Sequence, residues 1–310
     1  MAQKGGGQMV TVREGSTIDI QAKAVCMALC ISTLNTKRKV DSGSVQVDAD
    51  EDRIHVAKEI LDSETLKEIG RLDKSAREYL YKRCLPSPFK RGVYLHPIAL
   101  LQETMKWMED YEAERETLKK KFYSEYPKLC DKAKKALRDL WDEDDYPSLD
   151  RVKAAFGVEI QLLQLEAPDA LKAISGDLYR REVVKVERMW EKAGSEIVAV
   201  LTKELSELVA HMADRLESDA KGERKTFRDT VVTNFTDWLS MFEARNLTGD
   251  QELKTVVDRA KKMIAGITPD VLRESDVQRE TVAKGFATLK KVLDENLVDR
   301  KKRKIRFDEE

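Results

Sequence analysis

Two long hydrophobic stripes with the period of an α-helix constrain this sequence more than any other feature. The apolar residues of each stripe recur at steps of three and four, which places them on one side of a helix. The first stripe consists of Leu101, Met105, Met108, Leu118, Phe122, Leu129, Ala133, Ala136 and Leu140. The second consists of Trp190, Ala193, Ile197, Leu201, Leu205, Leu208, Met212 and Leu216. Because long helices are not stable on propensity alone, each stripe predicts a partner surface, in this chain or in another.

The composition also favours a helical protein. Charged residues make up 36% of the chain and aromatic residues 6%, whereas a compact β domain would contain more aromatic and β-branched side chains. The 56 basic residues nearly balance the 57 acidic ones, so there is no general attraction to nucleic acid or to an anionic membrane. No apolar run is long enough to cross a bilayer. With four cysteines, most of them widely spaced, these features predict a reduced, cytoplasmic protein that does not associate with membranes.

We predict a mainly α, elongated fold in which two long antiparallel helices form a spine, with a small N-terminal α/β element and a C-terminal helical bundle. The predicted ranges are a flexible leader (1–8), a mixed α/β region (9–97), the long-helix spine (98–216), the helical bundle (217–298) and a basic and acidic tail (299–310). The bundle is expected to contain three amphipathic helices, because three separate apolar stripes follow residue 226.

Several local predictions accompany this fold. Residues 7–20 mix Val, Thr and Ile with Gly and predict a short strand or hairpin, and a helical region is expected over 52–83 with a break near Gly70. The residues at 41–50 and at 218–224 are predicted to form a polar loop and a turn. Pro127 should kink the first long helix or divide it in two, and the pair Ser175–Gly176 is a weak point at the start of the second.

Cysteine and histidine offer two kinds of chemistry. Cys26 and Cys30 would share a face if their segment were helical, and with His55 or His96 they would make a zinc site, although the spacing is not a standard zinc pattern. Cys84 or Cys130 with a histidine would make a nucleophile and base, but no surrounding motif provides the group that orients such a pair. Small buried thiols also behave simply as hydrophobic residues. We therefore predict no catalytic residues, no metal site and no cofactor.

The densest acidic cluster consists of Asp142, Glu143, Asp144 and Asp145. Carboxylates are ligands for Mg²⁺, so a cryptic metal-dependent enzyme is one interpretation. Four adjacent side chains point in different directions, however, and negative charge is unfavourable at a helix C-terminus. A solvated acidic loop that ends the helix, or an acidic docking patch for a basic partner, are the alternatives.

Two basic patches complete the candidate sites. One consists of Lys37, Arg38 and Lys39, and the other includes Arg300, Lys301, Lys302 and Arg303 within a run that extends to Arg306. Such runs neutralise phosphates in nucleic-acid-binding proteins, and they also occur as solvated chain ends. No phosphate-binding glycine loop accompanies them, because Gly5–Gly7 lacks the lysine and hydroxyl residues of a P-loop.

Several stretches together resemble a family of bacteriophage and plasmid proteins that is known only as a domain of unknown function. The similar stretches span residues 25–297 and read AREYLYKRCLPSPFKRGVYLHP, FYSEYP, DEDDYPS, KGERKTFRDTVVTNF, NLTGDQEL and PDVLRES. Genes of this family often lie near those of MoxR-like AAA+ ATPases and von Willebrand factor A proteins, which implies a partner in an ATPase system. The family pattern contains a Trp–Ser–Gly-like turn before a basic pair, and here that stretch reads STLNTKRK. The resemblance supplies no catalytic residues.

The leading hypothesis is a non-enzymatic assembly or adaptor protein of phage or mobile-element origin, acting in the host cytoplasm. It would act through helical surfaces, with itself as an oligomer or with a MoxR-like AAA+ ATPase. The alternatives are a nucleic-acid-associated protein that uses the two basic patches and a metal-dependent enzyme that uses the acidic cluster.

Overall fold

The computed structural model describes residues 17–40, 55–87, 90–217, 225 and 228–305, and it shows a mainly α protein, as the sequence predicts. The helices are α1 (Thr17–Lys23), α2 (Glu64–Arg83), α3 (Ile98–Leu137), α4 (Leu149–Ala154), α5 (Leu171–Ile174), α6 (Gly176–Leu216), α7 (Asp229–Arg245), α8 (Gln251–Ile264), α9 (Pro269–Glu274) and α10 (Asp276–Ile305). The strands are β1 (Ala24–Ser32), β2 (Lys37–Val40), β3 (Val56–Glu59), β4 (Leu85–Pro86), β5 (Val93–Pro97) and β6 (Gly157–Leu163). The two long predicted helices correspond to α3 and α6.

The chain forms two compact units, and neither is a single run of sequence. Unit 1 comprises Met1–Cys26, Arg83–Leu100 and Leu163–Glu310, and unit 2 comprises Met27–Lys82 and Leu101–Leu162. Strand β1 contributes residues to both. The α6 helix therefore belongs to unit 1, whereas almost all of α3 belongs to unit 2.

The core of unit 1 is built on the apolar stripe of α6. All but one of its eight predicted residues are buried, Leu208 being half-buried. The helix begins after Ser175, whose hydroxyl accepts a hydrogen bond from the backbone N–H of Leu178 and so caps the first turn. This break between α5 and α6 lies where the sequence predicts a weak point. The stripe packs most extensively against α10 and also contacts α1 and α7, so it is covered within the chain.

The described part of unit 1 has four helices after residue 226 instead of the predicted three, and α7, α8 and α10 carry the predicted apolar stripes. Helix α8 buries Leu253, Val256, Val257, Ala260 and Ile264. Asp250 caps α8 by accepting from the N–H of Leu253, and Thr268 caps α9 in the same way. Helix α10 extends through the positions predicted as a tail, as far as Ile305.

A charged residue lies inside this apolar core. Arg245, at the end of α7, is almost completely buried and donates from Nη1 and Nη2 to the carboxylate of Glu204 over 2.7 and 3.0 Å. Trp238 Nε1 donates to the same carboxylate over 2.7 Å. A third bond runs from Arg245 Nη2 to the carbonyl oxygen of Cys84 at 3.3 Å. The guanidinium thereby joins α6, α7 and the segment before β4, and most of its buried donors are satisfied.

Unit 2 is built around α2 and α3. Helix α2 turns the face that carries Ile69, Asp73 and Leu80 inward, and it runs through Gly70 without a break. The predicted helical region over 52–83 is therefore wrong on two points, since Gly70 does not interrupt α2 and Val56–Glu59 is strand β3. Val56–Glu59 pairs with β2 in an antiparallel ladder, so long-range pairing decides its conformation.

Helix α3 spans Pro127 without interruption, so the predicted division into two helices does not occur. Aromatic packing stabilises this part of the helix, because Phe122 and Tyr126 are buried on the same face and Phe122 contacts Phe156 with ring centroids 5.7 Å apart. The stripe on α3 is only partly as predicted. Its buried residues are Thr104, Met108, Tyr111, Arg115, Phe122, Tyr126 and Ala133.

The four-stranded sheet has the strand order β4-β5-β1-β6, and β2 with β3 forms a separate two-stranded ladder. The predicted strand or hairpin over 7–20 is wrong for its last four residues, because Thr17–Lys23 is helical. Its first residues, the loop at 41–50 and the turn at 218–224 lie outside the described residues.

Candidate interaction surfaces

The basic patch Lys37–Lys39 lies on strand β2, where alternate side chains point to opposite faces. Lys37 and Lys39 are exposed on one face, and Lys37 lies opposite Glu59 of β3. Arg38 points to the other face and lies opposite Lys58. The three basic residues therefore do not form one continuous surface.

The structure brings Arg38 together with Asp145, a residue of the other predicted cluster. Arg38 Nε lies 3.5 Å from Asp145 Oδ1, and Lys58 Nζ lies 2.6 Å from Asp145 Oδ2. Lys58 Nζ also donates to the carbonyl oxygen of Leu140 over 2.5 Å. Two like charges that face each other across a ladder repel, so a carboxylate between them stabilises the pairing. Asp145 thus serves as the counter-ion of the β2–β3 ladder.

The rest of the acidic cluster forms a short 3₁₀ turn at Glu143–Asp145. Asp142 caps this turn, because its side chain accepts from the backbone N–H of Asp144 at 3.1 Å. Trp141 and Tyr146 stack at the two ends with ring centroids 3.9 Å apart. Glu143 and Asp144 remain exposed. Two of the four acidic residues therefore have structural roles, because Asp142 caps the turn and Asp145 binds two cations.

The second basic patch lies on α10. The helix backbone continues through Arg300, Lys301, Lys302 and Arg303. The side chains of 295–305 lie outside the described part of the structure, so a role for this patch stays a prediction.

The strand position of Cys26 and Cys30 and the burial of the other candidate groups decide what chemistry they offer. Cys26 and Cys30 lie on strand β1, so four residues separate them by about 13 Å rather than by one helical turn. Burial raises the pKa of the Cys84 thiol to about 12, and burial also raises the pKa of Cys130, which keeps both thiols protonated. His96 is buried, and burial lowers its pKa, while its Nδ1 lies 2.9 Å from the carbonyl oxygen of Pro97.

A surface that sequence reasoning did not identify lies on the first half of α6. Four cations recur there at steps of four, three and four and share one side of the helix. This basic stripe consists of Arg181, Lys185, Arg188 and Lys192. Apolar side chains adjoin it, with Leu178 38% and Val184 43% exposed, and Ile174 of α5 is 74% exposed. An open cavity of about 590 Å³ lies along this face.

Acidic neighbours neutralise only part of the basic stripe. Lys185 pairs with Glu182 over 3.0 Å, and Lys192 lies 3.6 Å from Glu196. Among the described residues, Arg181 and Arg188 form no ion pair, although Arg181 Nε contacts the carbonyl oxygen of Asp177 at 3.5 Å. Their guanidinium groups therefore keep donors for a ligand. The spacing of these four cations is visible in the sequence. The sequence prediction rested on the apolar stripe that begins at Trp190, which lies on the opposite side of the helix.

No group of three or more His, Cys, Asp or Glu side chains in the described ranges is arranged to hold a metal ion. No described helix combines the length and the apolar content that a membrane-spanning segment needs. No protein-family model matches the chain, and no curated protein or solved structure is significantly similar to it.

Proposed function

We propose that this protein is a non-enzymatic adaptor or assembly protein that binds an acidic surface of a partner protein through the basic stripe of α6. The observation that carries the proposal is that two arginines without an ion pair to any described residue share one helix face with exposed apolar side chains. Protein interfaces combine arginine with apolar contacts, whereas contacts to a phosphate backbone are mainly electrostatic and polar. The apolar residues beside the stripe thus favour a protein partner over nucleic acid.

The contacts of the basic patch Lys37–Lys39 also favour a protein partner over nucleic acid. Arg38 already contacts a carboxylate, and Lys37 faces Glu59 across the ladder, so the segment 37–39 presents less free positive charge than its sequence indicates. The resemblance to phage and plasmid proteins adds a MoxR-like AAA+ ATPase as the proposed partner class, with action in the cytoplasm.

The experiment compares two double charge reversals. The first, Arg181→Glu with Arg188→Glu, changes the basic stripe. The matched control, Arg259→Glu with Lys262→Glu, reverses two exposed cations on α8 of the same unit. Partners captured from the native host in the presence of nuclease are purified, and their affinity for each variant is measured at two salt concentrations.

We expect the stripe variant to bind a protein partner at least about tenfold more weakly, because each lost charge-assisted contact contributes about 1 kcal/mol or more. The α8 variant should bind as the unchanged protein does. Equal binding by both variants would refute the role of the stripe. Capture that disappears with nuclease would instead support nucleic-acid association.

A further inference from the structure

Strand β6 is an edge of its sheet with little protection. The strand order ends at β6, and no described strand pairs with its outer side. Alternate residues of an edge strand direct N–H and C=O groups away from the sheet, which forms a template for another strand. The opposite edge differs, since β4 has two residues and the second is Pro86. A short strand with proline is one of the ways in which proteins block edge pairing.

The side chains of β6 suit a strand partner. Val158, Ile160 and Leu162 share one face, and Leu162 is 49% exposed. The other face carries Glu159 and Gln161. Glu159 is the single charge on the strand, and β6 contains no proline. An edge with these features is expected to pair rather than to stay solvated.

We propose that β6 pairs antiparallel with β6 of a second copy of this chain. Antiparallel pairing of a strand with its own copy has twofold symmetry, so each contact occurs twice. One register pairs all seven residues of β6, with Ile160 on the symmetry axis. In that register Val158 lies opposite Leu162, and Glu159 lies opposite Gln161.

The charges on β6 favour a second copy of the chain as the partner and antiparallel pairing as its direction. The antiparallel register places each Glu159 carboxylate beside the partner's Gln161 amide, so no two like charges face each other. Gln161 Nε2 already donates to Glu159 Oε1 within the strand over 3.0 Å, which shows that the two side chains are compatible. Parallel pairing in register would place Glu159 opposite Glu159 and is disfavoured. The proposal is independent of the basic stripe, which lies on α6.

The test is a concentration series by analytical ultracentrifugation on the full chain. The unchanged protein should shift from 35.5 kDa towards twice that mass as its concentration rises. In Gln161→Glu, two pairs of carboxylates would face each other, so the dimer should weaken by about tenfold. The exchange Glu159→Gln with Gln161→Glu restores one carboxylate and one amide at each contact, and it should restore the dimer.

Circular dichroism and thermal unfolding check that each variant is folded, and Val277→Glu on α10, at a side chain that is 75% exposed, serves as a surface control that should dimerise normally. An unchanged protein that stays monomeric up to its solubility limit would overturn the proposal. A dimer affinity that is unchanged in Gln161→Glu would also overturn the proposal. A double exchange that fails to restore dimerisation would do the same. None of these results would alter binding at the basic stripe, so the two proposals fail separately.

Discussion

Arg115 of α3 donates from Nε to Oδ1 of Asp73 on α2 over 2.8 Å, and both side chains are at most 5% exposed. Tyr111 donates its hydroxyl to the same oxygen at 2.7 Å, and Arg115 Nη2 donates to the carbonyl oxygen of Ser32 at 2.9 Å. Burial, followed by the hydrogen bond to Asp73, raises the pKa of Tyr111, so this hydroxyl stays a donor. The interior of unit 2 therefore contains a connected polar network between two otherwise apolar helix faces.

Removing one member of this network should be much more harmful than replacing both. Asp73→Ala leaves the Arg115 cation buried without a carboxylate, and we expect it to lower the free energy of unfolding by about 3–5 kcal/mol. The double variant Asp73→Leu with Arg115→Met removes both charges, so it should recover most of that loss. Urea unfolding measures both effects.

A neighbouring exposed ion pair provides the control. Lys121 of α3 and Glu68 of α2 join the same two helices over 3.2 Å, but both side chains are solvated. Lys121→Ala should leave the unfolding midpoint nearly unchanged, because exposed pairs contribute little. A single Asp73→Ala variant as stable as the double variant would contradict the role of the buried pair.

The same network shows where sequence reasoning reached its limit. Helical period predicted α3, α6 and the C-terminal helices, because apolar spacing reports which face of a helix is buried. Arg115 and Asp73 break that pattern, since each is buried only because the other is present. A periodicity of apolar residues cannot reveal a buried pair contributed by two distant helices. The stripe on α3 was consequently predicted with Leu101 and Ala136 instead of Tyr111 and Arg115.

Candidate sites show a related limit. The sequence identified Arg38 and Asp145 as members of two separate charged patches, and 107 residues separate them. Their proximity depends on the β2–β3 pairing and on the turn after α3, which local composition does not encode. The basic stripe of α6 could have been found from its spacing of four, three and four. The exposure of this stripe could not be predicted from the sequence, because it depends on which face of α6 packs against α10.

Asp145→Asn should destabilise the β2–β3 ladder. The substitution removes the carboxylate between Arg38 and Lys58 and leaves two cations opposed across the ladder. We expect a loss of about 1.5–3 kcal/mol, the range for hydrogen bonds to charged groups, with partial recovery in high salt. Chemical unfolding at two salt concentrations measures it. The neighbouring Asp144→Asn is the control, because that exposed side chain has no such role, and an equal loss in both variants would argue against the counter-ion.

Cys84 should make the protein less stable at alkaline pH. Its pKa is raised from 9.0 to about 12 by burial, so above pH 9 the unfolded chain loses a proton that the folded chain retains. Stability is therefore fully present below pH 9 and falls between pH 9 and about 12, by up to about 1.4 kcal/mol per pH unit for one proton. The free energy of unfolding of Cys84→Ala should fall less steeply over that range.

The end of α3 should tolerate glycine better than its natural residue. Arg138 follows the last helical residue with a φ of 47°, a left-handed conformation that is unfavourable for residues with a Cβ atom. Arg138→Gly removes that strain, although the unfolded chain gains freedom, and we expect a net stabilisation of about 0.5–1 kcal/mol. Arg138→Ala keeps the Cβ atom while it removes the same charge from the helix C-terminus, so the difference between the two variants isolates the backbone effect. Thermal unfolding should rank glycine above alanine, and the reverse order would mean that the left-handed residue is not the strained element of this turn.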